Sequence, residues 1–395
     1  MSTGRSAKCS ASPASTRDST SPTTSPRRSA RTGRPNRAKR KARHMARARQ
    51  RSLFDDDSLP ESPVANPPRA EPVAPAPVAA DIHALAARLP AQVHLGTSSW
   101  SFPGWTGLVY APRHGKPESE QRLARGGLAA YAQHPLFGSV SLDRTFYAPL
   151  LADEYATYAA AVPDDFRFVV KAPAAITDPF KRAGNSGLVS GDNPTFLDAA
   201  TAAAVCVAPA AAGLGAKLGA IVFQFPPLGR ALLADVPRLV ARLVAFVAAL
   251  PRPGTESLPH GPPIALEIRD PALVCEALAA GLLDGGAIPC LAAHARMPPL
   301  EKQADVWQLE RFPVSSPLVI RWNLHAGKDY EGAKQEYFPF DRLVEEDLET
   351  RDSLARLVRT QAGSGRTVLV TINNKAEGSA PWSVRRLAEA IAGCN

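Results

Sequence analysis

From residue 93 onward, short apolar runs alternate with longer amphipathic ones. The apolar runs fall at 93–97, 139–143, 166–171, 220–225, 264–268, 288–293, 318–322 and 367–372. Each is bounded by Gly, Pro or charged residues, as expected of parallel strands buried on both faces. Helical periodicity occupies 119–133, 153–162, 195–212, 232–250, 271–280, 342–361 and 382–392, with 82–89 ahead of the first strand. Within 232–250, Val236, Leu239, Val240, Leu243, Val244 and Val247 recur on one face. Asp270 before Pro271 reads as an N-cap followed by Pro in the first helical turn. The segment 297–312 is the least regular. Eight strands alternating with about eight helices predict an α/β fold, a TIM-like (β/α)8 barrel. A doubly wound open sheet is the alternative, but Gly96-Thr97-Ser98-Ser99-Trp100 lacks the Gly-rich dinucleotide fingerprint.

Ahead of the barrel the pattern breaks down. Residues 1–51 hold 15 of the 46 Lys and Arg residues and one acid, Asp18, a charge of +14. The remaining residues sum to −5, so the overall +9 belongs to the tail and does not support reading the folded body as a polyanion binder. Residues 1–80 are expected to be a disordered basic segment followed by a Pro/Ala-rich extension, with the barrel domain at 81–395. The run 37–43 is rich in Arg and Lys and can make weak nucleic-acid contacts, although a solvated basic tail is the simpler reading. The Arg- and Ser-rich start also resembles a transit peptide and lacks a secretory apolar centre. Met45 offers an alternative start.

Five scattered cysteines form no C-x-x-C, which suggests free thiols in a reducing cytoplasm. No apolar run is read as long enough for a membrane span, and no membrane partner is expected. There is no Walker loop, H-E-x-x-H or G-x-S-x-G, and no cofactor is assigned.

Candidate chemistry gathers at the C-terminal ends of the strands, where barrels of this type place their sites. Glu267 and Arg269 are two residues apart on the fifth strand and share a face. Lys171 ends the third strand and Gln224 the fourth. Arg321 lies on the seventh, and Asn373 and Asn374 follow the eighth. Trp100 and Tyr147 offer a stacking wall, with Thr145 beside them. Glu267 and Lys171 are the acid/base candidates. Trp100, Thr145, Tyr147, Gln224, Arg269, Arg321, Asn373 and Asn374 are the ligand-binding candidates. Glu267 with Arg269 and Arg321 reads equally well as an interior salt-bridge network. Asp143, Glu267, His294 and His325 are metal-ligand types without supporting spacing, and no metal is assigned. The expected ligand is a small anionic or polyhydroxylated molecule. An enzyme (hydrolase, isomerase or lyase) and a binding module without turnover both fit.

Several motifs resemble those of the YecE-like family, domain of unknown function 72. Gly96-Thr97-Ser98-Ser99-Trp100-Ser101 with Trp105, Gly107 and Tyr110 resembles its opening motif. Thr145-Phe146-Tyr147 follows, then Phe166, Phe168, Lys171, Pro173, Ile176 and Thr177, then Leu218-Gly219 with Gln224, Pro226 and Pro227. Glu267-Ile268-Arg269, Arg321, and Asn373-Asn374 with Glu377-Gly378 and Ala380-Pro381 complete the series. The resemblance covers about 93–392 in the family's order. It implies a TIM-like barrel and a pocket, and leaves the reaction open. Ser141 and Asp143 stand where the family usually has Glu and Asn. Asp178 and Asp270 stand where it often has His, Ser99 replaces Gly and Ser383 replaces Asn. Chemistry tied to those residues is absent here or carried by the substitutes.

Overall fold

The computed structural model describes residues 71–183, 188–252 and 254–393. The basic tail, Met45, Cys9, Cys394 and the linker before residue 71 lie outside the described residues.

The described residues hold ten strands: β1 Val93–Thr97, β2 Ser139–Leu142, β3 Arg167–Lys171, β4 Phe180–Ala183, β5 Leu188–Asp192, β6 Leu218–Phe225, β7 Ile264–Ile268, β8 Ile288–Ala293, β9 Leu318–Trp322 and β10 Val368–Ile372. Eight of them close into a barrel in the order β1-β10-β9-β8-β7-β6-β3-β2. All of its ladders are parallel. These are the eight strands expected from the apolar runs. The barrel strands are buried almost throughout because side chains fill the interior and helices cover the outside. At the β1–β2 ladder Gly96 pairs with Ser139. A Cβ at Gly96 would lie 1.9 Å from the Ser139 carbonyl oxygen, so this close approach requires glycine.

The 232–250 pattern becomes Val236–Ala249, which buries Leu239, Val240, Leu243, Phe246 and Val247. Asp235 caps it by accepting from Arg238 N at 3.0 Å. Leu348–Gly363 is capped in the same way by Asp347, which accepts from Thr350 N at 3.0 Å.

Four local differences from the sequence expectation have physical reasons. First, β4 and β5 form a separate antiparallel hairpin after β3, held at its base by Asp178. Asp178 accepts from Phe180 N at 3.0 Å and pairs with Arg182 at 2.6 Å. Second, Asp270 does not cap the helix after it. Its carboxylate instead accepts from Leu228 N at 2.8 Å, tying the β7 loop to the β6 loop. Third, the helix expected over 195–212 contains a π-turn, Ala203–Val207, immediately before a segment with Pro209 in its first turn. Pro209 has no N–H to continue the ordinary ladder. Fourth, residues 71–79 pack on the barrel. Val73 and Ala76 are buried, and Ala76 N donates to Val109 O at 2.9 Å.

The expectation that no apolar run is long enough for a membrane span is corrected. Ala199–Lys217 is long and apolar enough by length and composition. Its face bearing Ala202, Cys206, Val207, Ala210 and Leu214 is buried in the protein core.

Candidate functional site

The parallel register brings the polar residues of different strands to one level. Gln224 pairs with Glu267 across β6 and β7, and Arg321 lies between Ala292 and Thr371 across β8, β9 and β10. Glu267 is fully buried. Its Oε1 pairs with Arg269 at 2.5 Å, and its Oε2 accepts from Arg321 at 2.6 Å. Asn323 Nδ2 donates to Oε1 at 3.3 Å. The other guanidinium nitrogen of Arg321 donates to both oxygens of Asp143, at 2.6 and 2.9 Å. Ser141 Oγ donates to Asp143 Oδ1 at 2.7 Å. Six side chains from three strands and the segments that follow them thus form one polar network around Arg321 and Glu267.

Burial alone would raise the Glu267 carboxyl, but Arg269 and Arg321 outweigh it and hold the group down to about 2. Burial opposes the charge on Arg321 as well, and Asp143 and Glu267 reverse that and raise it. Both partners therefore remain charged at any working pH.

Above this network lies a cavity of about 580 Å³. Asp143, Lys171, Arg269, Arg321 and Lys375 supply charges to its wall, with Gln224, Asn323, Asn373, Ser98 and Ser99 as neutral polar groups. Phe102, Phe146, Tyr147 and Tyr330 form the aromatic wall. Lys171 Nζ sits 3.8 Å from the centre of the Phe146 ring, and Lys375 Nζ 4.3 Å from that of Tyr330. Burial lowers Lys171 to about 8 against the opposing pull of Asp143, and it lowers Lys375 to about 8 in the same way. The ring contacts act in the opposite sense, since an aromatic face favours the ammonium form. His294 also lines the cavity; burial, and then Arg269, bring it down to about 4, so its imidazole is neutral at pH 7.

Six of the ligand and acid/base residues expected from the sequence line this cavity: Tyr147, Lys171, Gln224, Arg269, Arg321 and Asn373. Glu267 lies behind the two arginines. Trp100, Thr145 and Asn374 do not line the cavity and make hydrogen bonds within the fold. Trp100 is buried and donates from Nε1 to Leu123 O at 3.0 Å. Thr145 Oγ1 is 2.5 Å from both Leu142 O and Lys171 O, and ties β2 to β3. Asn374 Oδ1 accepts from Trp105 Nε1 at 3.2 Å and from Ala380 N at 2.8 Å.

The principal cavity residues outside the ligand and acid/base candidates read from the sequence are Asp143, Lys375 and Tyr330. Asp143 and Lys375 do stand at strand ends, which was the available signal. Tyr330 opens a helix, Tyr330–Tyr337, that the apolar pattern did not reveal. Among the described residues no three His, Cys, Asp or Glu side chains gather as a metal site. His325 turns its Nδ1 to Ala326 O at 2.6 Å.

The model of the DUF72 family, a protein family of unknown function, matches residues 94–394. The chain belongs to the DUF72 family. Two solved DUF72 structures resemble it. The one from Enterococcus faecalis V583 is 18% identical, covers 76% of this chain and 95% of its own, and gives a TM-score of 0.48. The one from Thermotoga maritima MSB8 is 17% identical, covers 75% and 97%, and gives 0.46. A monooxygenase from Streptomyces bottropensis is more distant, with 14% identity, 76% and 98% coverage and a TM-score of 0.34. No curated protein matches the chain. DUF72 membership fits the eight-stranded parallel barrel and carries no reaction with it.

Proposed function

We propose that the cavity binds a small anionic or polyhydroxylated molecule. The observation that carries this reading is the pair Lys171 and Lys375. Both line the cavity, and among the described residues neither Nζ has an ion pair or a hydrogen bond. Two lysine side chains that make no ion pair or hydrogen bond at the wall of a cavity favour an anion. Ser98, Gln224, Asn323 and Asn373 can orient hydroxyl groups, and Phe102 and Phe146 give the apolar wall that ligand pockets use.

The two acid/base candidates differ in fitness. Glu267 is saturated by Arg269, Arg321 and Asn323 and held ionised, which suits it to fix the arginines in place. Lys171 lies close enough to neutrality to exchange a proton at physiological pH.

Calorimetric titration of the full chain with inorganic phosphate, gluconate and neutral glucitol tests the reading. Phosphate and gluconate are expected to bind, and Lys375→Met to weaken them by about ten-fold, the worth of one charge-assisted hydrogen bond. No binding of either anion would overturn the reading.

A further inference from the structure

We propose that Lys171 is a carbonyl-condensing residue, whose amine forms an imine with the aldehyde or ketone group of an anionic ligand while Lys375 holds that ligand's carboxylate or phosphate. The inference rests on the reading of the cavity as an anion site and names the substrate class it takes.

Three features of position separate the two lysines. Lys171 is the last residue of β3, on the rigid barrel itself, whereas Lys375 lies in the loop after β10. The charges around Lys171 are those of the central network: Asp143, Arg321, Glu267 and Arg269. Those around Lys375, Asp143 apart, belong to the rim helix Tyr330–Tyr337: Lys334 and Glu331. The nucleophile therefore sits at the centre of the site and the anion anchor at its rim. A ligand bearing a carbonyl at one end and an anion at the other matches that spacing of roles.

Burial supports the role of Lys171. A lysine condenses only as the free amine, and burial beside Arg269 and Arg321 favours that form. The Phe146 face covers the amine and limits access of water to the imine. Asp143 lines the same cavity and is 29% exposed, so a polar wall and solvent adjoin the amine during the condensation.

The step balances without an added reagent. The lone pair of the Lys171 amine attacks the carbonyl carbon, and the N–C bond forms. A nitrogen proton passes to the oxygen to give a carbinolamine. Protonation of that hydroxyl lets the C–O bond break, water leaves, and C=N remains as the iminium of Lys171. Hydrolysis runs the same steps in reverse.

The test is reductive trapping of the full chain with glyoxylate and cyanoborohydride at neutral pH, read by peptide mass spectrometry. Cyanoborohydride delivers hydride to the imine carbon and fixes the adduct as a secondary amine. Exposed Lys302 on the same chain is the internal reference for ordinary lysine reactivity. Lys171 is expected to be modified about ten-fold faster than Lys302, its greater share of free amine being partly offset by its weaker basicity. Phosphate is expected to protect Lys171, and Lys375→Met to slow its labelling while leaving Lys302 unchanged. Labelling of Lys171 no faster than that of Lys302, while phosphate still binds, would sink the imine inference and leave the anion pocket standing. Fast labelling that neither phosphate nor Lys375→Met alters would instead overturn the anion-site reading on which Lys375 depends.

Discussion

Glu267 and Arg321 stand on β7 and β9, with β8 between them, and meet at 2.6 Å inside the barrel. Neither has meaningful contact with solvent, and Arg321 also neutralises Asp143. Removing one partner of a buried pair leaves a charge without compensation, which costs about 3–5 kcal/mol. Arg321→Met leaves Asp143 without its cation and Glu267 with Arg269 alone, and is expected to lower the unfolding free energy by about that amount. Chemical denaturation measures it. A loss below about 1 kcal/mol, the value of an exposed pair, would show that water reaches the network.

The same pair sets an acid limit on stability. The folded Glu267 value, about 2, lies below its ordinary 4.5. A depressed carboxyl stabilises the folded state fully above its unfolded value and loses that contribution as pH falls through the folded one. Glu267 should therefore contribute about 3 kcal/mol above pH 4.5, fading as pH falls toward 2. The stability gap between the wild type and Glu267→Gln should close over that window in denaturation curves. A gap independent of pH there would contradict the assigned ionisation.

The lysines carry the opposite sign. Their folded values, about 8, lie below the ordinary 10.5, so the ammonium form is disfavoured by folding and anion binding restores it. Lys171 faces Asp143, Arg321, Glu267 and Arg269, and Lys375 faces Asp143, Lys334 and Glu331. Sulfate has no proton to lose in this range. Its affinity is expected to fall as pH rises through about 8, by about ten-fold per unit for each lysine required as a cation. Calorimetry across that range checks it, and an affinity flat to pH 10 would mean that neither lysine binds the anion.

The sequence made the barrel legible because its strands are short, apolar and sharply bounded, so alternation alone located all eight. The cavity residues at strand ends, Lys171, Gln224, Arg269 and Arg321, followed from the fold. Pairing did not, because no local pattern states that Asp143 and Glu267 share one guanidinium from opposite sides. Trp100, Thr145 and Asn374 looked like ligand groups because polar or aromatic residues near a site resemble those that build it. Trp100 Nε1 donates to Leu123 O, Thr145 Oγ1 lies between Leu142 O and Lys171 O, and Asn374 Oδ1 accepts from Ala380 N, contacts that no sequence pattern reveals. The helix Tyr330–Tyr337 escaped notice because it buries only Ala333 and Tyr337, too few to make a periodic stripe.

Gly96 tests the closure of the barrel beside the site. A methyl group there would meet backbone, the Ser139 carbonyl, which cannot rotate away as a side chain would. Gly96→Ala must separate β1 from β2 and is expected to cost about 1–3 kcal/mol or more. Because Ser98 follows on the same segment and accepts from Asn373 Nδ2 at 2.8 Å, the cavity wall should shift as well. Denaturation together with sulfate titration reads both effects. A variant as stable as the wild type would mean that the strands can separate without penalty.

Asp143 links the network to the cavity and gives a prediction with an unusual sign. Its carboxylate occupies one terminal nitrogen of Arg321, at 2.6 and 2.9 Å, while Glu267 holds the other, so neither is free to meet a ligand. In Asp143→Asn the guanidinium keeps its charge through Glu267 but loses its anionic cap. Stability should fall, because a buried ion pair has been broken. Sulfate should nevertheless bind more tightly, by about ten-fold, the worth of one added charge-assisted contact. Sulfate titration of the folded variant decides it. Weaker binding would mean that Asp143 positions Lys171 or Lys375 rather than masking Arg321.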